Sequence, residues 1–76
     1  MNPAIIYQTV KFALLAKGVS DAEAETRSRA KFTEANAVAR AAMEQAREAG
    51  ESQNMHMYKL QQKALEALAT WAQTNA

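Results

Sequence analysis

Apolar positions along this chain recur three or four residues apart, the spacing of a helix, and the alternating apolar runs with β-branched residues that mark a strand are missing. Phe32, Ala35, Ala39, Ala42, Ala46 and Ala49 follow one another at steps of 3, 4, 3, 4 and 3. These are the steps of a heptad seam, but with alanine where Leu or Ile usually stands. Small side chains let a neighbouring helix approach toward the short end of the usual axis separation of about 8–10 Å. Val38 and Met43 widen the seam on its flanks, and charged residues take the other side. Glu23–Arg27 and Glu25–Arg29 are i,i+4 pairs in the favourable order, each contributing a few tenths of a kcal/mol. Scattered alanines such as Ala30 and Ala37 mark helix propensity and nothing more.

Toward the C-terminus the pattern broadens. Met57, Leu60, Ala64, Ala67 and Trp71 form one row, and Tyr58, Leu65, Leu68 and Ala72 form its neighbour. Together they make the wide face of a helix packed on a core or a partner, with Lys59, Gln62, Lys63, Glu66 and Gln73 on the wet side. The first segment is apolar almost all the way round. Ile6, Val10, Ala13 and Leu14 share one side, and Ile5, Phe12, Leu15 and Ala16 share another. Only Gln8, Lys11 and Lys17 clearly interrupt it. A helix of this kind calls for burial on more than one side. That leaves surface for a second copy, a target protein or a membrane. The membrane ranks last, because a membrane-lying helix concentrates Lys and Arg on one polar face.

Glycine, proline and capping residues divide these patterns into elements. Pro3 suits a first helical turn. Lys17-Gly18 reads as a helix end, and Ser20-Asp21-Ala22-Glu23 matches a capping box. Gly50 ends the next helix, and Ser52 or Asn54 is placed to cap a third. The expectation is one all-helical domain over 1–76, with helices at 3–17, 21–49 and 52–74. The fold class is all-α, a three-helix (helical-hairpin) bundle with a long central helix, assembled as a dimer.

Size strengthens the expectation of a dimer. At 76 residues the chain buries a small share of its surface, and folding alone is marginal. With no Cys and one His, disulfides, cysteine-type zinc sites and a multi-His metal site within one chain are excluded. Oligomerisation or very regular packing remains. The formal net charge of +1, from 9 basic and 8 acidic side chains, makes no strong appeal to nucleic acid or anionic lipid. Met1-Asn2-Pro3-Ala4 lacks the features of a signal peptide, and the apolar stretch Ile5 to Ala16 falls short of the ~20 residues needed to span a bilayer. Absence of Cys fits a reducing interior, so the expected location is the cytoplasm.

The residues offer little chemistry. There is no phosphate-cradling glycine loop, HExxH motif, nucleophile elbow or EF-hand loop. Ser20, Ser28 and Ser52 lack a nucleophile's sequence setting. Met55-His56-Met57 has the donor types of a soft copper site, but one such triplet reads better as core methionines beside a surface His. Glu44 and Glu48 read as a solvated face. Arg40 and Arg47, seven apart, are the most enzyme-like feature, able to face an anion across a dimer. Arg47 also stands beside Glu44 and Glu51. The expectation is therefore no enzyme, no catalytic residue, no metal and no cofactor.

What remains is a small protein-protein interaction module, acting as adaptor, inhibitor or assembly factor, with a homodimer and a further protein as partners. The compact signals are those of a bacterial or viral chain. Ile5, Tyr7, Phe12, Leu15, Tyr58 and Trp71 are the candidate contacts, because aromatic anchors dominate binding hot spots. Phe12 and Trp71 suit a core better than a contact, and Tyr7 is the most open case. The alternative is a dimeric nucleic-acid-associated regulator using Arg27, Arg29 and Lys31. Glu23, Glu25 and Glu34 surround those three cations, which makes it the weaker reading.

Overall fold

The computed structural model describes residues 2–50 and 57–76, and every element among them is helical. The helices are α1 (Pro3–Ala16), α2 (Asp21–Ala30), α3 (Phe32–Glu48) and α4 (Met57–Asn75). The expected helix start at 52, with the candidate caps Ser52 and Asn54 and with His56, lies outside the described residues.

The first turn is built as the sequence dictates. Asn2 caps α1, its side-chain oxygen accepting from the Ala4 N–H at 2.8 Å, and Pro3 occupies the first turn. At the other end the Gly18 N–H donates to the Leu15 carbonyl at 3.0 Å, and the Val19 N–H donates to the Leu14 carbonyl at 3.1 Å. This is the Schellman arrangement, and it requires the positive φ of 91° that Gly18 supplies. Val19 then packs against the core. At the next residue, the Ser20 hydroxyl accepts from the Glu23 N–H at 3.2 Å and starts α2. Lys11 of α1 closes the corner with an ion pair to Asp21 at 3.5 Å. α1 and α2 thus form a tight αα-hairpin.

The expected long helix over 21–49 is two helices, so there are four helices among the described residues rather than three. The chain leaves helical geometry at Lys31, with φ −97° and ψ 6°. No glycine or proline stands there. Instead, the buried Ser28 hydroxyl donates to the Ala24 carbonyl at 2.6 Å, competing with the backbone for the same acceptor. Back-bonding of this kind bends helices. The break is mild. The Lys31 N–H still reaches the Arg27 carbonyl, and the Ala35 N–H reaches that of Lys31, both at 2.9 Å. A straight helix from Asp21 to Glu48 would run about 42 Å, close to the 41 Å long axis of the molecule. The chain is redirected, not folded back. α1 consequently touches α2, α3 and α4.

The core joins the bulky side chains of α1, with Leu68 of α4, to alanines of the other helices. Ile6, Val10 and Leu14 of α1 meet Ala24 of α2, Ala35 and Ala39 of α3, and Ala64, Leu68 and Ala72 of α4 in one buried cluster. Among the described residues alanine makes up six of the eleven buried hydrophobic ones, so helix spacing rather than side-chain bulk sets the packing. Ala46 and Leu60 are also buried but stand apart from this cluster, toward the end of α3 and in the first turn of α4. On α4 the buried line is Leu60, Ala64, Leu68 and Ala72, which cuts across the two rows expected from the sequence. The radius of gyration, 12.8 Å, exceeds the roughly 11 Å of a compact domain of this length. The molecule is elongated to 41 × 19 × 17 Å.

Candidate interaction surface

The alanine seam is occupied within the chain. Ala35, Ala39 and Ala46 are buried, Phe32 and Ala42 are half-buried, and Ala49 is exposed just beyond the end of α3. The chain's own α1 and α4 therefore cover the central members of the seam. The seam also extends further upstream than expected. Steps of four back from Phe32 reach Ser28 and Ala24, both fully buried.

With the seam covered, α1 becomes the informative helix. One face is the core face of Ile6, Val10 and Leu14. Phe12, expected in the core, is 62% exposed on the opposite face, and Ile5 is 37% exposed one heptad before it. The reason is geometric. Side chains at 5 and 12 lie roughly opposite 6, 10 and 14 on a 100° helical wheel, and the three other helices all pack on the latter side. Thr9 and Ala16 continue this outer face, with Gln8 and Leu15 at its edge. The Thr9 hydroxyl donates to the Ile5 carbonyl at 2.7 Å, so its polar group is satisfied within the helix. Lys11 is drawn off the face by Asp21. The outer face of α1 thus carries no charge over three turns.

The other expected contacts are dispersed. Tyr7 and Leu15 are half-buried on the flanks of α1, and Leu15 packs against the core. Trp71 is half-buried against the core. Tyr58 is 69% exposed at the start of α4, beside the exposed Met57.

The cations proposed for nucleic acid are each in an ion pair. Arg27 meets Glu23 at 3.0 Å, Arg29 meets Glu25 at 2.9 Å and Lys31 meets Glu34 at 3.9 Å. All six side chains are substantially exposed, so each pair contributes little to stability. Their effect is on the surface field, where every positive charge has a negative one beside it. Arg47 is likewise paired with Glu44 at 3.4 Å, beside Arg40 in a shallow depression on α3.

An open groove of about 690 Å³ runs between α3 and α4, floored by Ala42, Ala46, Ala67 and Trp71. Several of its polar groups bond to their own helix. The Thr70 hydroxyl donates to the Glu66 carbonyl at 3.1 Å, and the Asn75 amide donates to the Trp71 carbonyl at 3.1 Å. Among the described residues no three His, Cys, Asp or Glu side chains gather where they could hold a metal ion, and no helix is long and apolar enough to cross a membrane. No family model matches the chain, and neither a curated protein nor a solved structure matches it.

Proposed function

We propose that this chain is a small, non-enzymatic helical interaction module, an adaptor, inhibitor or assembly factor that engages its partner through the outer face of α1. One observation carries the reading. Phe12 is exposed on the same helix that supplies the bulkiest part of the core. A phenylalanine left in water forgoes a large apolar burial, of order 2 kcal/mol. A partner's surface would recover it. Ile5, Leu15 and Ala16 would surround Phe12 as the rim of a hot spot, and Tyr58 with Met57 would form a separate, smaller contact on α4. The reading includes self-association, in keeping with a core composed largely of alanine.

The test is a paired capture. Wild-type and Phe12→Glu chains are immobilised side by side and exposed to lysate of the source cells at physiological salt. The proposal expects proteins, including untagged copies of this chain, that bind the wild type and are lost with Phe12→Glu. Identical retention by both chains would overturn it. The nucleic-acid reading is the weaker one, because Arg27, Arg29 and Lys31 are each neutralised by a neighbouring glutamate.

A further inference from the structure

We infer that α2 is a strap that opens between Gly18 and Lys31 while α1, α3 and α4 stay packed, whatever meets the outer face of α1.

The core depends little on α2. Half of its ten residues are charged, and its buried side chains are those of Ala24 and Ser28. α1 buries Ile6, Val10 and Leu14, and α4 buries two leucines with its alanines. α3 buries alanines, but its half-buried Phe32, Val38 and Met43 also pack against the core cluster. Among the described residues, no partly buried hydrophobic side chain of α2 does so. Apolar stabilisation follows the area removed from water, and a methyl group with a serine offers little of it. With α2 away, α1 is still held by α3 and α4, because its buried residues share one cluster with theirs.

The polar side chains of α2 bond mainly within it. The Thr26 hydroxyl donates to the Ala22 carbonyl at 3.1 Å, and the Ser28 hydroxyl donates to the Ala24 carbonyl. Arg27 and Arg29 donate to Glu23 and Glu25. Among the described residues, the side-chain tie from α2 to α1 is the ion pair of Asp21 with Lys11, and the Asp21 side chain is 75% exposed. Such a pair holds weakly. Opening therefore leaves no buried polar group without its partner.

Both ends of α2 are places where the chain already turns. Gly18 stands at φ 91°. Lys31 is out of helical geometry. The chain can swing at these two points and leave α1 and α3 intact. A released segment of this length does not hold its helix, since isolated helices shorter than about 12–15 residues are marginal in water. Opening also bares the part of the buried face of α1 that α2 covers, so the strap sets when that apolar surface is available.

The test is native-state hydrogen exchange on the full chain, followed residue by residue by NMR at urea concentrations below the unfolding transition. Amides of Glu25 to Arg29 are compared with those of α4 around Leu68. The expected result is protection at least about tenfold lower in α2. Its dependence on urea should be shallow, because this opening exposes little surface, whereas at Leu68 it should be as steep as global unfolding. Protection of Arg27 equal to that of Leu68 overturns the inference. A urea dependence as steep in α2 as at Leu68 overturns it too, because α2 would then be lost only with the whole fold.

Discussion

The Ser28 hydroxyl donates to the Ala24 carbonyl at 2.6 Å, inside the core and one turn before the chain leaves its helix at Lys31. That hydroxyl has no partner beyond its own helix, and the Ala24 carbonyl retains a backbone donor when it is removed. Ser28→Ala therefore deletes a competing bond and substitutes the best helix former. The expected outcome in urea unfolding is a stability unchanged or raised by up to about 0.5 kcal/mol. A loss above 1 kcal/mol would mean that the hydroxyl is required where the account makes it dispensable.

The break at Lys31 also shows where the sequence stops being legible. Gly18 and Ser20 announce the first corner, and the structure uses both as their chemistry requires. At Lys31 every residue from Arg29 to Thr33 is compatible with a helix, and the signal for a break is a buried serine one turn earlier. Thr9 and Thr70, neither of them buried, make the same bond within unbroken helices, so what sets Ser28 apart is its burial, and that burial depends on the helices packed against α2, α1 foremost. Ser28 and Ala24 could have been found by carrying the four-residue step back from Phe32. The exposure of Phe12 could not. Period alone makes both sides of α1 apolar, and only the positions of the other helices decide which side becomes core. The same applies to α4, where packing selects Leu60, Ala64, Leu68 and Ala72 from two apolar rows.

Two neighbouring alanines of α3 should respond differently to enlargement. Ala39 is 2% exposed within the main cluster, whereas Ala42 is half-buried at the edge of the open groove. Ala39→Leu forces added atoms between α3 and the helices on it and should cost about 1–3 kcal/mol. Ala42→Leu has the groove to expand into and should change stability by less than about 1 kcal/mol. Equal effects of the two variants on the urea midpoint would refute the close packing assigned to Ala39.

Pairing of Arg27, Arg29 and Lys31 with glutamates predicts negligible affinity for duplex DNA or RNA at physiological salt. Titration monitored by fluorescence anisotropy should show no saturable binding at micromolar protein. Removing the neutralising charges, with Glu23→Gln and Glu25→Gln together, should raise weak low-salt binding. A tight, salt-sensitive complex of the wild type, weakened by Arg27→Ala with Lys31→Ala, would restore the nucleic-acid reading.

The central claim is that Phe12 serves association and not folding. It is tested most directly by the melting temperature of Phe12→Glu, measured by circular dichroism on chains dilute enough to be monomeric. The account predicts a Tm within about 4 °C of the wild type, because for a domain of this size 1 kcal/mol corresponds to a shift of about 4–8 °C. A fall of 10 °C or more would show that Phe12 is part of the folded core, and would contradict the contact surface assigned to α1.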